Sequence, residues 1–249
     1  MSSRICGARK GVVFGVLLGV LGGTLAAGDA QARRIDRWEK FNRKVFVFNE
    51  TLDTWALKPV AEFYRTVTPS LVDSAVTAFF DNLSEPRNFV NSVLQLKGDS
   101  ALVATGRFVF NSTFGLAGLI DVATPMGLER RREDFGQTLG YWGMKSGPYL
   151  MLPFLGPSTL RDAAGLGVDF ATPGVWDHID EPENYVLRGV QVVDTRADLI
   201  PAEQLMSGDR YVFVRNAYLQ RREFMIFDGQ PPRDPFADDE DDELMLDDF

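Results

Sequence analysis

Residues 134–165 read DFGQTLGYWGMKSGPYLMLPFLGPSTLRDAAG. Between Phe135 and Leu160 the only charged side chain is Lys145, yet Gly136, Gly140, Gly143, Gly147, Pro148, Pro153, Gly156 and Pro157 break the run. Proline removes a backbone N–H and clashes with the preceding turn, and each glycine costs a helix about 1 kcal/mol against alanine. A regular apolar helix is therefore excluded here, whether as a buried core element or as a membrane span. Irregular backbone leaves N–H and C=O groups to be satisfied, so at membrane depth it persists only where protein buries it or a polar cavity adjoins it.

Upstream of this stretch the pattern is helical. Trp38, Phe41, Val45, Phe48, Leu52 and Trp55 step by three and four, with charged residues between them, and predict an amphipathic helix over residues 37–57. Taken alone, the stripe favours a helix packed on a core, although Trp, Phe and Leu opposite Lys and Arg is also the pattern of a helix lying in a membrane interface. Lys58-Pro59 should end or kink it, with a short helical pattern following before Thr68-Pro69. A further helix is expected from Ser70, a new start at Ser84-Glu85-Pro86, and another helix with Asp99 as its N-cap. Five helical segments thus precede Gly115. Downstream, helices are expected over Leu160–Phe170, from Val186 to Ile200 and over Arg210–Phe227.

The ends differ from the body. Arg4, Arg9 and Lys10 precede an apolar run from Val12 to Leu25, and Ala30-Gln31-Ala32 follows as a cleavage site, so residues 1–32 read as an export signal. Removing it takes away Cys6, the only cysteine, and leaves a chain without thiol or disulfide chemistry. Residues 234–249 hold nine acids and no base, which accounts for the whole formal charge of −9. We read residues 231–249 as an acidic, disordered tail and residues 33–230 as a single domain. The body is nearly neutral, without the basic stripe of a nucleic-acid binder.

The chemical inventory is thin. With His178 the sole histidine and no cysteine after residue 32, metal sites are nearly excluded, and neither G-x-x-x-x-G-K-[ST] nor a G-x-G-x-x-G between strand and helix occurs. A hydrolase would need Ser158, in Gly156-Pro157-Ser158, beside His178 and Asp177 or Asp180, but the G-x-S-x-G elbow is missing. No cofactor and no catalysis are expected.

The chain resembles the VacJ/MlaA family of outer-membrane lipid-asymmetry proteins over about residues 36–228. The likeness rests on Trp38-Glu39-Lys40-Phe41-Asn42-Arg43 with Phe48-Asn49, Lys58-Pro59-Val60-Ala61, Asn82-Leu83-Ser84-Glu85-Pro86, Arg107-Phe108, Asn111-Ser112-Thr113, Gly118-Leu119-Ile120-Asp121-Val122-Ala123 and the stretch quoted above. The resemblance implies an all-α, ring-like arrangement of amphipathic helices around a central channel. It implies a phospholipid transport protein at the periplasmic face of the outer membrane, which removes mislocalised phospholipids from the outer leaflet and passes them to a periplasmic carrier. Trimeric porins are implied as partners, and nucleic acid is not. On this basis Trp38, Phe41, Val45, Phe48, Leu52 and Trp55 are expected to face acyl tails. Gly140, Gly143 and Gly147 are expected as channel hinges, with Lys145 and Tyr149 near the path.

One departure from the family pattern is chemical. Its members are commonly lipoproteins with a cysteine directly after the apolar run, whereas Ala30-Gln31-Ala32 stands there and Cys6 lies ahead of it. A non-lipidated mature chain is expected, held by amphipathic helices, porin contacts or both. Two rival readings are a soluble periplasmic lipid-binding shuttle and a lipid hydrolase using Ser158 and His178.

Overall fold

The computed structural model describes residues 36–172 and 174–230, so the export signal and the acidic tail expected at the ends lie outside the described residues. The stripe from Trp38 to Trp55 forms α1, Glu39–Leu52, which continues through a π-helical turn, Asp53–Leu57, into α2, Lys58–Val67. Of the stop or kink expected at Lys58-Pro59, the stop does not occur, and the irregularity is the π-helical turn just ahead of it. Pro59 cannot donate to the carbonyl four residues back, and the wide turn ahead of it has the Lys58 N–H reach Asp53 O, five residues back.

Two helices were expected between Ser70 and Leu96, and one is found: α3, Ser70–Leu94, with Pro86 inside it. Pro86 forfeits the bond to the Asn82 carbonyl, but α3 is braced from the side by α4, Gly98–Thr113. Asn82 Nδ2 donates to Ser112 Oγ (3.0 Å) and Arg107 Nε donates to Glu85 Oε1 (2.9 Å), ties that a sequence reading of Pro86 cannot see. Asp99 is not the N-cap of α4. Lys97 holds that position, and the Asp99 carboxylate pairs with Arg131 instead.

The quoted stretch is more ordered than its glycines and prolines imply. It opens with α5, Phe135–Tyr141, capped by the Asp134 side chain accepting from Gln137 N, and then forms a two-stranded antiparallel hairpin. Strand β1, Tyr149–Leu152, pairs with β2, Gly156–Thr159, in a register that sets Tyr149 against Thr159 and Leu152 against Gly156. Helices α6, Leu160–Ala171, α7, Glu183–Leu199, and α8, Arg210–Ile226, complete the described residues close to their expected bounds. The all-helical class therefore holds, with this ribbon as its one β exception among the described residues.

The interior inverts the usual partition. Among the described residues nineteen polar or charged side chains are buried against nine hydrophobic ones, of which five are alanines. Along α3 the buried positions are Phe80, Asn82, Glu85, Asn88, Asn91 and Ser92, whereas Leu71, Val72, Phe89, Val90, Val93 and Leu94 face outward. Such groups are tolerable inside only when paired. Arg107, 2% exposed, shows how: Nε meets Glu85, Nη2 meets Asp121 Oδ2 (2.9 Å), and Nη1 donates to Thr124 Oγ1 and Leu128 O. Burial alone would lower the Arg107 pKa, but its bonds to Asp121 and Glu85 outweigh that and raise it.

Replacing Arg107 by Met leaves the Glu85 carboxylate, which is 1% exposed, with a hydrogen bond from Asn88 and Arg130 at 3.7 Å but without its closest cation. We expect a loss of about 3–5 kcal/mol in denaturant unfolding in detergent, the cost of breaking a buried ion pair from one side. The same network sets a pH limit. Burial pushes the Asp121 carboxyl up, but hydrogen bonds from Thr124 and Arg107 prevail and hold it at about 2, below the ordinary 3.8. A folded-state pKa below the unfolded one contributes stability above pH 3.8 that is lost as pH falls through about 2, so melting temperature should drop across that window, and Asp121→Asn should flatten the drop.

Candidate functional site

The outward face of α1 and α2 is continuous and apolar. Trp38, Phe41, Phe48 and Leu52 are each more than two-fifths exposed and Trp55 is 82% exposed, with Val60, Phe63 and Val67 extending the face along α2. Val45 departs from the stripe. It is half-buried against the small apolar cluster of Tyr149, Met151 and Tyr211, together with Phe46 and Tyr218. The residue that α1 buries completely is Asn42. Its Nδ2 donates to Asp36 Oδ1 (2.9 Å) and Tyr149 O (3.0 Å), and its Oδ1 accepts from Met151 N (2.9 Å). Two turns on, Asn49 repeats the clamp, donating to Leu152 O and accepting from Phe154 N, both at 2.9 Å. Core packing of the stripe, the reading it favours by itself, does not describe α1. The helix turns asparagines toward the hairpin and most of its aromatic rings outward, the arrangement that suits an apolar solvent.

Behind this face lie two cavities that share Arg87 and Asp134. The larger, about 390 Å³, is walled by α3 (Thr77, Asp81, Ser84, Arg87), the segment Arg130 to Asp134, and α7 (Gln191, Asp194, Thr195, Asp198). The smaller, about 230 Å³, runs between the hairpin, α6 and α8, past Leu152, Leu155, Ser158, Asp162, Asp169, Tyr218 and Arg222. Helical spacing explains both walls: residues 77, 81 and 84 share one face of α3, and 191, 194 and 198 one face of α7.

Where the cavities meet, charge is densest. Arg222 Nη1 donates to Asp134 Oδ2 (2.6 Å) and its Nη2 to Asp134 Oδ1 (3.0 Å) and Asp162 Oδ1 (2.9 Å). Burial opposes the Arg222 charge, but these two carboxylates raise its pKa well above the usual arginine value. In return Asp134 and Asp162, which burial alone would raise, are held below the carboxylate range, chiefly by Arg222. At the far end of the larger cavity Asp194 accepts from Tyr64 Oη (3.1 Å) and Thr77 Oγ1 (3.2 Å). Its pKa is raised by burial and by repulsion from Asp198 and Asp73, and that of Asp198 by burial and by Asp73 and Asp81. Gln137 Oε1, Arg130 Nε and Arg222 Nε are buried without a hydrogen-bond partner.

The residues expected near a path lie in α5, the loop after it and β1. Gly140 lies in the last turn of α5, where an added Cβ would stand 3.0 Å from Arg161 Nη1, and Gly143 and Gly147 hold positive φ of 89° and 69° in the loop before β1. Lys145 is exposed in that loop, and Tyr149 is fully buried in the apolar cluster with its hydroxyl unpartnered. None of the five lines either cavity. Those that do include Arg87, Asp194, Asp198 and Arg222, charged positions on helices that read as a solvated face, and Arg130 and Arg132, which lie in an irregular charged segment that reads as a surface connection. Their signal was the apolar residues beside them, Phe89 and Val93 on α3 and Val192 on α7, which would otherwise have to pack inside. Ser158 and His178 are not brought together by any hydrogen bond. Ser158 Oγ donates to Thr159 O (3.2 Å) and His178 Nδ1 pairs with Gly174 O (3.1 Å). No group of three or more metal-ligating side chains occurs among the described residues, and no described helix is long and apolar enough to cross a membrane.

Residues 34–225 match the family model described as MlaA lipoprotein. The chain is 35% identical over 226 residues to the intermembrane phospholipid transport system lipoprotein MlaA of Escherichia coli K12, covering 88% of this chain and 90% of that protein. The protein of the same name from Haemophilus influenzae is 34% identical over 206 residues, 80% of this chain and 82% of its own. An uncharacterized protein of Rickettsia felis is 35% identical over 195 residues, covering 77% and 78%. A structure solved in work on the structural basis for maintenance of bacterial outer membrane lipid asymmetry superposes with a TM-score of 0.69 at 36% identity, covering 78% of this chain and all of that one.

The asparagine clamps can be probed directly. Asn49→Ala removes both partners of the hairpin turn and should cost about 1–2 kcal/mol while accelerating amide exchange at Phe154. Asn42→Ala, which frees a buried carbonyl and a buried N–H, should cost more and accelerate exchange at Met151.

Proposed function

The chain belongs to the MlaA lipoprotein family, and on that premise we propose that it draws misplaced phospholipids out of the outer leaflet through a polar passage between its helices. It is an outer-membrane phospholipid transport protein that maintains lipid asymmetry. One observation carries the passage: apolar side chains cover the outside of α1, α2 and α3 while charged side chains line cavities within. A phospholipid moving through such a body keeps its headgroup on polar walls and its acyl chains against apolar ones. The helices would stand as a ring about the passage, with the face from Trp38 to Val67 among acyl tails.

The path would run through the larger cavity, past Arg87 and Asp134, and out between the hairpin and α8. Gly140, Gly143 and Gly147, with Lys145 and Tyr149 beside them, would let the segment between α5 and β1 move as the lipid passes. The lipid would leave to a periplasmic carrier, with trimeric porins holding the chain in place. No bond is made or broken, in keeping with the separate hydrogen bonds of Ser158 and His178. Export by residues 1–32 would leave the mature chain without an acyl anchor, and an acylated N-terminus in intact-mass spectrometry would overturn that.

Deleting the gene should raise the phospholipid exposed on the cell surface, read by outer-leaflet labelling; no rise sinks the transport reading. Trp55→Asp combined with Phe63→Asp places two charges on the outward face. Each should cost roughly 1–3 kcal/mol of membrane retention. The variant should be released by carbonate, whereas the wild type requires detergent. Release of the wild type by carbonate would favour the soluble shuttle.

A further inference from the structure

The larger cavity carries a pair of neighbouring arginines and, on α7, a pair of aspartates without a salt-bridge partner, and that arrangement has a ligand chemistry. Arg130 and Arg132 stand together beside Asp81: Arg130 Nη1 pairs with Asp81 Oδ1, and Arg132 Nη2 is 3.7 Å from the same oxygen. Asp81 thus serves two guanidinium groups, and Glu85 is a second carboxylate near Arg130, its Oε1 3.7 Å from a buried Nε that makes no hydrogen bond. Burial, with a smaller contribution from the nearby Arg132, lowers the Arg130 pKa against the pull of Asp81 and Glu85. The opposite holds on the facing wall. Asp194 and Asp198 have no cation within salt-bridge distance among the described residues; burial and neighbouring carboxylates raise the pKa of each, with Arg132 and Arg65 opposing this at Asp198 from beyond that distance. Gln137, 1% exposed, also lines this cavity with its Oε1 unpartnered. A monovalent anion would satisfy only the arginines, and a simple cation only the aspartates.

We propose that the larger cavity is a selective chamber for a zwitterionic phosphodiester headgroup, with the phosphate on Arg130 and Arg132 and a primary ammonium on Asp194 and Asp198. This rests on the phospholipid transport reading and adds a headgroup preference to it. The ammonium replaces the repulsion between the two aspartates with attraction, and the phosphate adds negative charge beside the paired arginines. An anionic headgroup of similar size, carrying glycerol in place of the ammonium, leaves the aspartates uncompensated and is disfavoured.

The test uses the full mature chain in detergent, incubated with equimolar phosphatidylethanolamine and phosphatidylglycerol of identical acyl chains and then separated by gel filtration, with the retained lipid identified by mass spectrometry. The expected result is a preference of about tenfold for phosphatidylethanolamine, the scale of one charge-assisted hydrogen bond. Asp198→Asn should reduce the preference severalfold and Asp194→Asn with Asp198→Asn should abolish it while phosphatidylglycerol is still retained. Asp198 makes no side-chain hydrogen bond within the described residues, so Asp198→Asn keeps the test open if Asp194→Asn disturbs the contacts to Tyr64 and Thr77. Arg130→Gln with Arg132→Gln should lower retention of both lipids. Equal retention of the two lipids by the wild type, or a preference that survives both aspartate substitutions, overturns the chamber while leaving transport intact. Retention of neither lipid overturns both readings. Glycerophosphoethanolamine binding as tightly as the intact lipid would assign the chamber to a soluble headgroup and overturn its role in lipid selection.

Discussion

The buried ion pair between Arg107 and Glu85 is the constraint on which the rest of the structure depends. It joins α3 to α4 at the level of Pro86, where α3 has lost a backbone hydrogen bond, and through Asp121 and Thr124 it ties both helices to the segment that follows. Buried pairs of this kind add little net stability over apolar packing, because two desolvated charges offset most of their own attraction. What they supply is geometry. A polar interior has few ways to satisfy every donor and acceptor at once, so each satisfied arrangement is close to unique.

That interior follows from where the apolar surface goes. In water, Phe48, Trp55, Phe63 and Val93 on the outside would be a large uncompensated cost, and Asn42, Asn88 and Gln95 inside a second one. In an apolar surrounding both terms change sign, and helices that turn their polar stripes inward become the stable choice. The same inversion creates the cavities. Facing polar stripes on α3 and α7 do not interdigitate as leucines would, and their charges hold the walls apart around Arg87, Asp134 and Asp194.

Much of the helical skeleton was legible from spacing alone. The stripe of α1, the steps of α7 from Val186 to Ile200 and the last helix were found close to their observed bounds, since these depend on local periodicity. Pro86 and Pro59 misled, because the cost of a proline is local while its compensation, from Ser112 and Arg107 in one case and a π-helical turn in the other, is not. The hairpin was missed for a related reason. Its strands are four residues each, and what holds β1 against α1 is a pair of asparagine side chains, Asn42 and Asn49, more than one hundred residues away. The glycines at 143 and 147 were rightly read as irregular backbone, but the charged lining of the cavities was hidden among ordinary surface charges.

The sequence by itself determined the helical class, the positions of most helices, the family and the poverty of catalytic groups, because periodicity, ordered motifs and residue inventory are properties of the chain before it folds. Only the tertiary structure decided which face of each amphipathic helix lies inside. A hydrophobic stripe has the same period whether it faces inward or outward, and the burial of Asn42, Glu85 and Arg107 shows that the polar face is the inner one. Residues 134–165 carry the same division: their sequence excluded a continuous helix, while the asparagine clamps on the hairpin and the Arg222 pairs to Asp134 and Asp162 determined what shape replaced it.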